Sequence, residues 1–248
     1  MPGVLLGLTD GAVFAGPMVA IVGLALVLQP QRRSAAAAVI GVFVAWYAIA
    51  EVLISAGAFR APVVGPIPAL GLVGIPLAAG ILVVWLARAV RRLLATPGLP
   101  AALVALQTYR VVGGAFLLLM ALHRLPPLFA LPAGVGDVAI GLSAWSVANA
   151  LRGGRLSRVV TWNVVGLIDL VVAVGLGVAA SPAFHVSPGG VTTLALTTMP
   201  AALVPAFLVP LSILLHVASL RSLLLPAVRD LRPVRSPHAA WVARRGAA

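Results

Sequence analysis

The chain has 248 residues, of which 62% are hydrophobic and only 9% charged, with a mean hydropathy of +1.14. Soluble domains carry about 25% charged residues, so this chain lacks the polar side chains needed to cover a water-soluble globule. All seventeen cations are Arg against five acids, a net charge of +12, and the absence of cysteine excludes a disulfide framework, a thiolate nucleophile and Cys-ligated metals.

A membrane-spanning helix needs about 20 mostly apolar residues, and seven runs meet that length. The first, about 12–29, ends at Gln29, Pro30, Gln31, Arg32 and Arg33. The residues before it lack the positive n-region of a signal peptide, so this span is expected to be retained. The second, about 35–56, carries Glu51, and the third, about 65–87, carries Pro66, Pro68 and Pro76. Arg88, Arg91 and Arg92 close the third, followed by Pro97, Gly98, Leu99 and Pro100. The fourth, about 101–122, places Gln107, Arg110 and Gly114 at i, i+3 and i+7, on one helical face. The fifth, about 129–150, holds Pro132, Gly134, Gly136 and then Asp137, Gly141 and Ala144 on a common face. Arg152, Arg155 and Arg158 separate it from the sixth, about 159–180, where Trp162, Gly166 and Asp169 follow i, i+4, i+7 beside Asn163. The seventh, about 199–220, contains Pro200, Pro205, Pro210 and His216. The fold class expected is all-α: a seven-helix polytopic bundle over 1–220 and a flexible basic tail over 221–248.

Fourteen of the seventeen Arg fall after spans one, three, five and seven, whereas the opposite loops hold only Arg60 and Arg124. Because Arg-rich short loops stay cytoplasmic, the N-terminus is expected outside and the C-terminus inside. Exclusive use of Arg suggests a GC-rich bacterial genome and hence an inner membrane. The expected partners are therefore the bilayer itself and anionic lipid headgroups at the Arg-rich cytoplasmic side, each Arg there being worth about 1 kcal/mol. No nucleic-acid motif accompanies the basic excess, and the sequence is silent on oligomeric state.

Ionisable groups inside spans are costly and mark function or packing. Arg110 and Asp169 fall near mid-span, with Asp137 slightly outward. Glu51 lies about two turns outward, and His216 is displaced toward the cytoplasmic end. Pairing Arg110 with one or both Asp is the economical arrangement, and the candidate polar site is Arg110, Asp137, Asp169, Glu51, Asn163, Gln107 and His216. Two readings stay open. The cluster either locks the helices in register or lines a functional cavity, since three carboxylates exceed what one Arg requires. Glu51 either carries a proton or snorkels to the headgroups. The prolines of spans three, five and seven suggest broken helices lining a cavity, with Asp137 near a helix N-terminal end. His185, in the uncharged loop 181–198, is placed to cover the outer mouth.

Several chemistries lack their residues. Without Lys there is no retinal Schiff base, and the four His fall at different depths, which disfavours haem and zinc sites. Neither the G-x-S-x-G nucleophile elbow nor the G-x-x-x-x-G-K-[ST] phosphate loop occurs, and no cofactor is expected. Gly134-x-x-Asp137 echoes Gly166-x-x-Asp169, too short an echo to establish a repeat.

Three phrases read as signatures: Gln107-Thr-Tyr-Arg110-x-x-Gly113, Leu131-Pro-Ala-Gly-x-Gly-Asp137 and Trp162-Asn163-x-x-Gly166-x-x-Asp169. Over spans four to seven the chain resembles uncharacterised multi-pass bacterial membrane proteins. That resemblance implies one constellation of Arg110, Asp137, Asn163 and Asp169, and no activity. The leading expectation is a non-enzymatic, small-solute or proton-linked transporter or permease-like protein. The alternatives are a structural or partner-binding subunit, and an intramembrane lipid-modifying enzyme using His216 or an Asp.

Overall fold

The computed structural model describes residues 2–28, 33–60, 67–184 and 189–225, and all its regular elements are helical. Nine α-helices follow in order: α1 (Pro2–Leu28), α2 (Arg33–Ser55), α3 (Ile67–Leu86), α4 (Arg88–Leu94), α5 (Leu99–Leu106), α6 (Gly114–Ala121), α7 (Pro127–Arg152), α8 (Leu156–Ala179) and α9 (Val209–Leu223). A 3₁₀ segment, Gln107–Gly113, joins α5 to α6, and a π-helical turn, Val204–Leu208, leads into α9. Among the described residues, six helical stretches are long and apolar enough to cross a membrane. A seventh is added if Val73–Leu86 and Arg88–Leu94, bent by 72°, count as one span. The bend falls at Ala87, whose extended backbone (φ −69°, ψ 118°) breaks the helical path.

Expectations about the Gln29–Arg32 break, His185 and the tail beyond 225 lie outside the described residues. The expected breaks at proline need correction. α7 is continuous through Pro132, and α3 is continuous through Pro76. A single proline costs one hydrogen bond and a clash with one carbonyl, which packing against neighbouring helices can absorb. Asp137 therefore sits ten residues inside α7, far from any helix end. The distorted segments are instead 204–208, which contains Pro205, and the proline-free 107–113.

Short connections set the depth of the site. α7 and α8 are joined by Gly153–Arg155, where Gly154 takes φ +74°, a left-handed conformation that favours glycine. Asp137 lies 15 residues before Arg152, and Asp169 lies 13 residues after Leu156. At 1.5 Å per residue the two carboxylates are thus level to within about 3 Å. The hairpin between α6 and α7 does the same for Arg110, which lies 11 residues before Ala121 while Asp137 lies 10 after Pro127.

α9 runs through the middle of the bundle, against α3, α5 and α8. Leading into it, Phe207 is fully buried against the rings of Phe43, Trp46 and Tyr47, the aromatic contact that attaches α2. The interior is mostly apolar but encloses a polar cluster, while other apolar side chains point outward. Val165, Ile168 and Val171 of α8 face outward, whereas Gln107, Arg110, Asn163, Ser212, His216 and Ser219 are buried.

Candidate functional site

The site begins with a departure from α-helical geometry. In a 3₁₀ segment residues i and i+3 eclipse, so Gln107, Arg110 and Gly113 stack on one face. The helical spacing that pointed to Gly114 is corrected accordingly. A Cβ at Gly113 would overlap the Asp137 side chain, whereas one at Gly114 would only touch Val138 at 3.4 Å. Two local features favour the tighter winding: the paired glycines at its end, and Thr108, whose Oγ1 donates to the Ala105 carbonyl at 2.7 Å. α7 packs its backbone directly on this segment. A Cβ on Gly141 would stand 2.8 Å from the Val111 amide nitrogen.

Arg110 is 3% exposed and reaches three helices. Its Nε and Nη2 both lie 2.7 Å from Asp137 Oδ1, and Nη2 donates to Asp169 Oδ2 at 2.5 Å. Nη1 approaches His216 Nε2 at 3.2 Å. A guanidinium only donates, so this contact assigns Nε2 as an acceptor and places the imidazole proton on Nδ1. His216 Nδ1 then donates to Asn163 Oδ1 at 2.9 Å. Asn163 Nδ2 in turn donates to the Val159 carbonyl and to Ser219 Oγ. The network therefore runs from two carboxylates through a guanidinium, a neutral imidazole and an amide to a hydroxyl.

Glycines leave the space these side chains occupy. A Cβ at Gly136 would overlap the Asp169 carboxylate, and one at Gly166 would overlap the His216 ring. Trp162 flanks the same ring at 5.1 Å between centroids and donates its Nε1 to Ser143 Oγ at 2.8 Å. Gln107 ties the 3₁₀ segment to α9 by donating Nε2 to the Ser212 carbonyl. Beside it, Tyr109 OH and Ser212 Oγ lie 2.6 Å apart.

The structure thus brings together Arg110, Asp137, Asp169, His216 and Asn163, with Gln107 on the same 3₁₀ face. It does not bring Glu51 to them. Glu51 stays on α2, half-buried, and accepts from Tyr47 OH at 3.2 Å, so the expectation that four helices contribute charges to one site is corrected. The physical reason is that α2 packs on α1 and on the turn before α9, not on the charged face of α7 and α8. His216 is corrected the other way: its ring lies at the level of Arg110. Gly113 and Tyr109 stand in a signature phrase of the sequence without an assigned contact, and Ser212 and Ser219 carry no expectation there. A polar stripe at 212, 216 and 219 was the available signal for the last two.

Beside the cluster lies a cavity of about 490 Å³. Its wall is mostly apolar, with Phe116, Phe129, Leu170 and Val174 contributing, and among the described residues Asp137 is the one carboxylate that lines it. From Asp137 it extends toward the Arg-poor end of the bundle, where Arg60, Ser181 and the 3₁₀ turn Thr193–Thr197 border it. Asp137 and Asp169 retain 17% and 18% side-chain exposure, against 1% for Arg110. His216 is fully buried and does not line the cavity.

A protein family described as a domain of unknown function (DUF8737) matches residues 67–224, which include α3–α9 and every member of the cluster. No curated protein and no solved structure matches the chain.

Proposed function

The chain belongs to the DUF8737 family, a domain of unknown function, and from that premise we propose that it is a non-enzymatic, seven-span bacterial inner-membrane protein. On this reading it binds a small solute from the outer side and passes it in a proton-linked, permease-like cycle. The observation that carries the proposal is the 490 Å³ cavity with Asp137 at its inner end, a volume within the range of small-molecule sites. Outward-facing Val and Ile together with a buried, paired charge cluster support the membrane setting, because lipid accepts Val and Ile but not an unpaired charge. The Arg distribution supports an outer Arg-poor end and a cytoplasmic Arg-rich one, where anionic headgroups are the natural partners.

Asp137 is the working group in this scheme, in place of Glu51. It stands between Arg110 and the cavity, so a change in its occupancy is felt by Arg110 and, through Arg110, by Asp169 and His216. The cluster has two carboxylates and one guanidinium. A proton or a bound cation balances the surplus charge, and moving either one alters the ion pair that ties α7 and α8 to the 3₁₀ segment.

The absence of cysteine makes the test clean. A single Ala173→Cys on the cavity wall, in right-side-out cells, is expected to react with a membrane-impermeant maleimide, and Thr96→Cys at the opposite end only after permeabilisation. An unreactive Ala173→Cys in folded protein would remove the outward-opening site. A second reading, a purely structural cluster, draws support from the full use of Nε, Nη1 and Nη2 by protein partners. It predicts that Arg110→Met with Asp137→Leu and Asp169→Leu keeps fold and phenotype, because well-packed apolar groups can replace a buried ion network.

A further inference from the structure

We propose that the solute is a lipophilic monoamine in its ammonium form, and that it competes with a proton for Asp137. This deepens the reading above and rests on it. Three observations meet at the inner end of the cavity.

Arg110 engages only Oδ1 of Asp137, and among the described residues no donor reaches Oδ2. Oδ2 is turned toward Gly113, and the part-exposed carboxylate as a whole borders the cavity, where an N–H donor entering along the wall meets it. Second, the charge count leaves room for one monovalent cation. The charged and titratable groups facing Asp137 are Arg110 from the 3₁₀ segment, Asp169 from α8 and, beyond Arg110, His216 from α9. Tyr109 and Ser212 lie beside the same pair, while α1 and α6 present the apolar Val13 and Phe116. With His216 neutral, the ionised cluster carries one negative charge. Third, the rest of the wall is apolar, and a stretch of α8 from Leu170 to Val178, about 12 Å long, borders it. A hydrocarbon or aryl body fits that wall, whereas a strongly hydrated cation would lose its water with nothing in exchange. Arg60 at the mouth has the opposite sign to Asp137 but is exposed, so water and salt screen it.

The balance is simple. A protonated Asp137 meets an ammonium ion, the O–H proton leaves to water, and the carboxylate keeps the ammonium as its ion pair. One proton is released for each amine bound. No bond in the amine breaks, and the site holds a proton or an ammonium, never both.

The test uses the full chain in lipid nanodiscs and three probes of one shape: 4-phenylbutylamine, 4-phenylbutanol and 5-phenylpentanoate. Calorimetry at pH 8 is expected to show the amine binding at least about tenfold tighter than the alcohol, since a charge-assisted bond outweighs a neutral one. As pH falls through the titration of the cluster, amine affinity is expected to drop by about tenfold per pH unit, with the alcohol unaffected. Below that titration, where Asp137 carries its proton, a pH dye in weak buffer should read one proton per amine, falling to none where the carboxylate is already ionised. Asp137→Asn should bring amine and alcohol level while alcohol binding persists as the check of folding. Asp169→Asn, which removes the surplus charge without touching the ligand, should narrow the gap in the same direction. Equal binding of amine and alcohol, or tightest binding by the carboxylate, would overturn the cation assignment and leave the outward cavity standing. Binding by none of the three would overturn it as well, and Ala173→Cys labelling then decides whether the cavity reading falls with it.

Discussion

The span that ends in α9 and the span in α2 show opposite uses of similar sequence. Of the Val204–Leu223 window 72% is buried, against 17% for Ala36–Ser55, although the latter is the more apolar. In water the apolar helix would occupy the centre. Here α9 carries Ser212, His216 and Ser219 into the core, and α2 turns Val42, Val44, Ile49 and Val52 outward. His216 of α9 is locked between Arg110 and Asn163, while Glu51 of α2 has the Tyr47 phenol as its hydrogen-bond partner among the described residues. The contrast teaches that between these two helices the less apolar one is the more buried, as the proposed lipid setting predicts, since lipid would solvate the outward apolar side chains while polar ones must find each other.

Arg110→Met tests the central half of that contrast most severely. It leaves two buried carboxylates facing each other and is expected to cost about 3–5 kcal/mol, read as a large fall in melting temperature in detergent. Arg110→Lys should recover only part of this, because an ammonium cannot reproduce the fork that holds Asp137 and Asp169. Gly136→Ala comes next. Its methyl takes the space of the Asp169 carboxylate, and overpacking of this kind costs about 1–3 kcal/mol. The loss should shrink when Asp169 is also replaced by Ala, and an additive double-mutant cycle would refute the proposed crowding. His216→Phe keeps ring volume but strips Asn163 and Arg110 of a partner, for an expected cost of about 1–3 kcal/mol. Smallest is Glu51→Gln on the peripheral helix, expected within about 0.5 kcal/mol of the parent. An effect of Glu51→Gln as large as that of His216→Phe would erase the distinction between the two regions.

Part of the site was legible before any coordinates. Arg110, Asp137 and Asp169 sit on consecutive helices joined by short turns, and counting residues from each turn puts them at one level. Pairing follows, since unpaired charges at that depth are prohibitive. His216 joins the expected site, whereas Glu51 stays away from it. Depth along a helix can be counted, but which helix touches which cannot, and α9 reaches the cluster only through non-sequential packing. A period of 3.6 puts Gly114 rather than Gly113 on the Arg110 face, and a 3₁₀ stretch without proline leaves little trace in sequence. Proline pointed elsewhere: Pro132 is absorbed in an unbroken α7.

The sequence alone determined the helical class, the apolar spans and the level of the three charges, because these depend on composition and on 1.5 Å per residue. Tertiary structure alone decided that α9 occupies the centre, that Gly113, Gly136 and Gly166 make room for Asp137, Asp169 and His216, and that a cavity ends on one carboxylate. Those outcomes depend on lateral contacts between helices distant in sequence, where a methyl group more or less sets whether two backbones can meet.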